Sequence, residues 1–185
     1  MNTTEPDVIE QICRHFDQRG TAMYVGEPVT QTEHALQCAA AAEKSGASAA
    51  LVTASLLHDV GHLLHALGED CADDGIDDQH ERLGAAWLEQ FFPSAVCDPV
   101  KLHVPAKRYR CAVDTHYHAQ LSPASVQSLR LQGGPMNTEE IEAFRQHEWF
   151  EAALQLRSWD EAAKIPGLKT PSLQHFLPYV ARSTR

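Results

Sequence analysis

With 185 residues the chain is long enough for one domain with a sizeable core. A formal net charge of −10 repels phosphate backbones, which argues against nucleic acid as a partner. No stretch reaches the roughly 18–20 apolar residues of a membrane helix, and the opening MNTTEPDVIEQICRHFDQRG lacks the apolar block of a signal peptide, so a cytoplasmic protein is expected. Five cysteines, Cys13, Cys38, Cys71, Cys97 and Cys111, form no C-x-x-C pair and read as reduced thiols.

Helical signals dominate from the first residues onward, and no β-branched run alternates convincingly. A first helix fits about 6–19, closed by Gly20, and a loop with Gly26 and Pro28 follows. Thr30-x-x-Glu33 is a capping box that opens a helix to about Ser45, with Gly46 as its stop. Ser48 caps the next segment, AALVTASLLHDV, which Gly61 is expected to end. This segment is apolar nearly all round and should be the central, buried helix.

Residues 68–79, GEDCADDGIDDQ, read as an acidic loop, and a helix from about 80 to 92 runs up to Pro93. Pro99 and Pro105 are expected to bracket a short helix containing His103. Ser122-Pro123 is an N-cap with proline in the first turn, and its helix ends near Gly133-Gly134-Pro135. A long helix over about 138–164, with a break near His147, and a short C-terminal helix complete the chain. No repeat, linker or second domain is visible, so residues 1–185 read as a single all-α domain.

Eleven histidines in an acidic, thiol-reduced, helical chain suggest metal. A lone histidine is more often a surface or satisfied core residue, and a His-Asp dipeptide arises readily by chance. Context strengthens His58-Asp59. The pair ends an apolar helix, where burying ionisable groups costs several kcal/mol unless a cation compensates them. Adjacent helical residues point about 100° apart, so an Asp59 that bridges two ions, with His58 on one of them, resolves the geometry. The other ligands must come from other helices. His34 shares an inward face with Cys38 and Ala41, His80 opens a helix after the acidic loop, His103 lies between prolines, and Asp160 sits in RSWDEAAK. Imidazole and carboxylate suit iron, manganese or zinc.

The order H…HD…H…H…D resembles the two-metal branch of the HD-domain superfamily. Further segments resemble the HD-domain mixed-valent diiron oxygenases that cleave carbon–phosphorus bonds. These are YVGEPVTQTEHALQCA (24–39), LLHDVGH (56–62), QHERLGA (79–85), HVPAKRY (103–109), LQGGPM (131–136) and RSWDEAAK (157–164). The resemblance implies an HD-domain helical bundle holding an Fe(II)/Fe(III) pair, with dioxygen as cosubstrate. The implied substrate is a 1-hydroxyethylphosphonate carrying a 2-amino or 2-trimethylammonio group, and the products are phosphate plus glycine or glycine betaine.

By the same resemblance His34, His58 and Asp160 hold one iron, His80 and His103 hold the other, and Asp59 bridges. Tyr24 and Glu27 match a loop over the site, with Glu27 near the ammonium. His62, Lys107, Ser125 and Arg157 match phosphonate-binding positions, and Tyr24 and His62 are the candidate catalytic groups. Elementary chemistry agrees on one point. An anionic substrate needs local cations in an acidic protein, and Lys107 lies four residues past His103, Arg157 three before Asp160. The acidic loop Glu69–Asp78 could supply a field for a trimethylammonium group. The expected partners are a small zwitterionic phosphonate and, at most, further copies of the chain in a small homo-oligomer.

Two rival readings stand beside this one. An HD-type phosphohydrolase uses a metal-bound hydroxide but has no need of Tyr24 and Glu27. A degenerate, non-enzymatic regulator would not keep all six ligands.

Overall fold

The structure, a computed structural model, describes residues 7–24, 26–64, 75 and 77–185. Among them it is built from helices, with one isolated β-bridge between Met23 and Thr30 and no strand. Eleven helices are described, and none is long and apolar enough to cross a membrane. The all-α class therefore holds. Cys71 and most of the acidic loop lie outside the described residues; Cys13, Cys38, Cys97 and Cys111 are free thiols.

The first elements follow their local signals. α1 (Val8–Arg19) buries Val8, Ile12 and Phe16 at helical spacing. α2 (Gln31–Lys44) starts at the reciprocal Thr30–Glu33 capping box, and Gly46, at φ 73°, follows its end. α3 (Ala49–Leu57) begins where the Ser48 side chain accepts from the Leu51 amide at 3.3 Å. Seven of its nine residues are buried, and it packs against α2 and against α6 (Ser94–Val113), α10 (Phe150–Ala162) and α11 (Leu173–Ser183). Full burial of residues such as Leu56 and Leu57 stabilises the fold by about 1.5–3 kcal/mol each, so α3 is the axis around which the others assemble.

Three expectations are corrected. Gly61 does not end the central helix. α3 stops at His58, and a new helix, α4 (Val60–Leu64), contains Gly61. The glycine is needed because α5 (His80–Leu88) crosses there: a Cβ on Gly61 would lie 2.1 Å from the His80 carbonyl oxygen. Nor do Pro99 and Pro105 bracket a short helix, since both lie inside the 20-residue α6. Each proline removes a hydrogen bond at a cost of about 3 kcal/mol, and packing against α3, α5 and α10 outweighs that cost. The carbonyl that Pro105 leaves unpaired belongs to Lys101, which is exposed to water. Finally, α5 ends at Leu88 rather than near 92.

One element was not foreseen. α7 (Thr115–Gln120) is capped by Asp114, whose carboxylate accepts from the His116 and Tyr117 amides. α8 (Pro123–Leu131) starts at the Ser122 cap as expected. The expected break near His147 separates α9 (Thr138–Arg145) from α10.

Candidate active site

Five elements converge on the middle of the bundle. His34 comes from α2, His58 is the C-cap of α3, Asp59 lies in the turn before α4, His80 opens α5, His103 is on α6 and Asp160 is on α10. All six are buried. The structure thus brings together the side chains that the sequence singles out.

Their mutual geometry is that of atoms arranged around two cations. Each of the four imidazoles directs Nδ1 at a fixed acceptor: Ala163 O for His34 (2.8 Å), Ser55 O for His58 (2.9 Å), Val100 O for His103 (2.7 Å), and the Asp78 carboxylate for His80 (2.8 Å). With Nδ1 carrying the proton, each Nε2 of the neutral ring presents a lone pair. These Nε2 atoms nevertheless face one another, 3.1 Å apart for His34 and His58 and 3.2 Å for His80 and His103. Two lone pairs at that distance repel unless a cation lies between them.

The carboxylates complete both groups. Asp59 Oδ2 is 3.2 Å from His58 Nε2 and 3.5 Å from His34 Nε2, while its Oδ1 is 3.4 Å from His80 Nε2 and 3.5 Å from His103 Nε2. Asp160 Oδ1 is 3.2 Å from His34 Nε2. Donors about 2.0–2.2 Å from a common ion stand roughly 3–3.5 Å apart, as these do. Asp59 Oδ2 and Asp160 Oδ1 are moreover buried without a hydrogen-bond partner, a costly state that a cation relieves. The residues present fit a two-metal centre, with His34, His58, Asp59 and Asp160 in one group and Asp59, His80 and His103 in the other.

A cleft of about 80 Å³ opens beside His80 and His103. Its lining includes Tyr24, Glu27, His62, Lys107, Ser125 and Arg157, so all six residues expected to meet the substrate face one space. The Tyr24 ring stacks on His34 at 3.9 Å, and burial, followed by the charges of Asp59 and Asp160, pushes its hydroxyl pKa well up. Lys107 donates to Ser128 at 2.9 Å; burial and then nearby Arg157 lower its pKa to about 8. Arg157 is buried and already committed, donating to Asp160 Oδ2 at 2.5 Å, to Tyr117 at 2.9 Å and to Glu161. It fixes the free edge of the Asp160 carboxylate as well as lining the cleft.

Sequence reasoning missed Asp78. Its two oxygens accept from His80 Nδ1 and His62 Nδ1, each at 2.8 Å. Burial alone would raise its pKa, but the two histidines hold it far below the usual carboxylate range. Gln79 beside it adopts φ 49°, a strained left-handed conformation, between Asp78 and the His80 ring nitrogen that Asp78 holds. The acidic loop that could serve a trimethylammonium group lies mostly outside the described residues; Asp77 and Asp78, its end, reach the cleft. Lys164 was also missed, although it too lines the cleft.

Comparison with known proteins finds phosphonate dioxygenases among those similar to the chain. The chain is 45% identical to the [1-hydroxy-2-(trimethylamino)ethyl]phosphonate dioxygenase (glycine-betaine-forming) of Leisingera caerulea, covering 95% of this chain and 90% of that protein. It is 42% identical to the hydroxymethylphosphonate dioxygenase of Gimesia maris, covering 95% and 88%. An uncharacterized protein of Acanthamoeba polyphaga mimivirus is 30% identical over 95% and 83%. No family model matches the chain.

Proposed function

This chain belongs to the HD-domain dioxygenases that cleave phosphonates, and from that premise we propose that it uses dioxygen to break the C–P bond of a small 1-hydroxyphosphonate. The substrate carries a 2-trimethylammonio group, or a 2-amino group in its place, and yields phosphate with glycine betaine or glycine. The observation that carries the proposal is the division of one carboxylate, Asp59, between two pairs of facing imidazoles beside a cation-lined cleft.

His34, His58 and Asp160 would hold one iron, His80 and His103 the other, and Asp59 both. Iron in the Fe(II)/Fe(III) state would supply Lewis acidity and, unlike redox-inert zinc, electrons for dioxygen. The protein's own groups do the rest. His80 and His103 face the cleft, so the ion they would hold is the one within reach of a substrate bound there. Lys107, Ser125 and Arg157 bind the remaining phosphonate oxygens by charge-assisted hydrogen bonds and fix C1 in one orientation. His62, oriented through Nδ1 by Asp78, sits where it can hold the proton of a substrate oxygen. Tyr24 covers His34 and keeps water and idle oxygen from that half until substrate is in place. Glu27 faces the amine end. A cleft of about 80 Å³ supports a compact substrate, since sites for drug-sized ligands span roughly 300–1,000 Å³. A cytoplasmic location is part of the same proposal.

The test is an oxygen-uptake assay with iron-loaded protein and the paired amino and trimethylammonio substrates. Phosphate released in proportion to oxygen consumed is the expected result. Phosphate released without air, or by zinc-loaded protein, would instead establish the phosphohydrolase reading.

A further inference from the structure

Lys164 has no part in the assignments above, yet its setting is specific. It follows the end of α10, and α2 grips the backbone on both sides of it. The Ala163 carbonyl accepts from His34 Nδ1 at 2.8 Å. Ile165 is held twice by Gln37, its amide donating to Gln37 Oε1 at 3.0 Å and its carbonyl accepting from Gln37 Nε2 at 2.9 Å. His34 and Gln37 are one turn apart on α2, so the lysine is aimed by the same helix that carries a candidate ligand.

The side chain crosses the cleft. Its Nζ lies 3.0 Å from Glu27 Oε1 and 3.1 Å from Ser125 Oγ, with Glu161 Oε1 at 3.6 Å. The pair is sheltered: the Lys164 and Glu27 side chains are 13% and 10% exposed. Ser122, the cap of α8, donates to the same Glu27 oxygen at 2.6 Å. One ammonium therefore ties Glu27 to Ser125 of α8 and to Glu161 of α10.

The consequence concerns specificity. Glu27 is the carboxylate at the amine end, and its charge is already balanced from within the protein. A substrate with a cation on C2 has to share Glu27 with Lys164, whereas a hydroxyphosphonate without nitrogen leaves the pair intact. Building on the dioxygenase reading, we propose that Lys164 is a specificity-determining residue: by occupying Glu27 it sets how strongly the cleft prefers a cationic tail over a neutral one. The lysine reaches both ends of the substrate, with its charge at one end and its hold on Ser125 at the other.

The experiment compares the trimethylammonio substrate with hydroxymethylphosphonate. It measures kcat/KM by oxygen uptake and Kd by calorimetry without air, so that binding is read apart from turnover. In Lys164→Met, Glu27 is left without its cation, and the preference for the trimethylammonio substrate should rise about tenfold, the effect of one sheltered charge pair. Lys164→Arg keeps the charge and should stay within about threefold of the parent, since an arginine reaches the same carboxylate. In a Glu27→Gln background, Lys164→Met should move the ratio no further. An equal loss for both substrates in Lys164→Met, or a shift that persists without Glu27, would overturn the proposal. If Lys164→Met fails to fold, Lys164→Gln gives the same comparison, with the same expected and refuting results. Unmutated protein that consumes no oxygen with either compound refutes the dioxygenase reading instead. Active protein whose preference ignores Lys164 refutes this inference alone.

Discussion

His34, His58 and Asp160 form the closed half of the candidate metal centre, whereas His80 and His103 form a half that faces the cleft. The closed half has two carboxylates within reach, its histidines are oriented by backbone carbonyls, and Arg157 and Tyr24 cover it. The facing half has one carboxylate oxygen, and one of its histidines is oriented by another side chain, Asp78. Backbone carbonyls within α3 and at the end of α10 belong to the packed frame of the bundle. The Asp78 carboxylate lies in a loop beside left-handed Gln79 and serves two histidines at once. The difference teaches a division of labour. One half has its donors supplied by three side chains and a shared Asp59, and the other has fewer protein donors and faces the cleft.

The strongest way to break this comparison is to remove what the halves share. Asp59→Ala should abolish iron binding at both, taking iron from about two ions per chain to less than one and turnover down at least about 10³-fold, as measured by metal analysis and oxygen uptake. Retention of one tightly bound ion would mean that the halves are independent. Asp78→Asn acts on one side only. It weakens the hold on His80 and His62, and iron affinity in the facing half should fall about 10–100-fold while the closed half keeps its ion. Equal loss of both ions would erase the asymmetry.

How much of this was legible in the sequence depended on whether the cause was local. The Thr30 and Ser48 caps, the apolar run of α3 and the six candidate ligands could be read, because each depends on neighbours within a few residues or on ligand chemistry. Gly61 looked like a stop, because the helix that forces the glycine arrives 19 positions later, at His80. The two prolines of α6 looked like boundaries because local propensity says so, and only packing against three other helices overrides it. Asp78 was hidden in an acidic run that reads as a solvated loop. Lys164 and Tyr117 act on partners far away in the chain, and no local pattern marks them.

Acidity gives the next test. Lys107 lies on the cleft side, and burial with Arg157 nearby lowers its pKa to about 8. The charged form, which a phosphonate dianion requires, is therefore present below that pH and lost above it. kcat/KM should fall by up to about tenfold per unit above pH 8, while kcat at saturating substrate falls less, because bound phosphonate holds the proton on Lys107. Lys107→Arg should remove this limb of the profile, since a guanidinium does not titrate there. A profile unchanged by that substitution would place the phosphonate elsewhere.

The smallest effect sharpens the closed half. The Tyr24 ring lies flat on His34, and the charge of Asp59 is among those that raise its hydroxyl pKa, so the residue can shield that half through its ring, its hydroxyl or both. Tyr24→Phe keeps the ring and deletes the hydroxyl. If the hydroxyl does the shielding, oxygen consumed without phosphate release should rise about two- to fivefold, a loss of roughly 0.4–1 kcal/mol of protection, and the iron spectra should change in the substrate-free protein. If stacking does the shielding, neither quantity moves in Tyr24→Phe, and both move in Tyr24→Ala. The first outcome makes Tyr24 part of the centre's own coordination chemistry. The second makes it a cover whose fit depends on the loop that Glu27 and Lys164 hold in place, so that uncoupled oxygen use would rise in Lys164→Met as well.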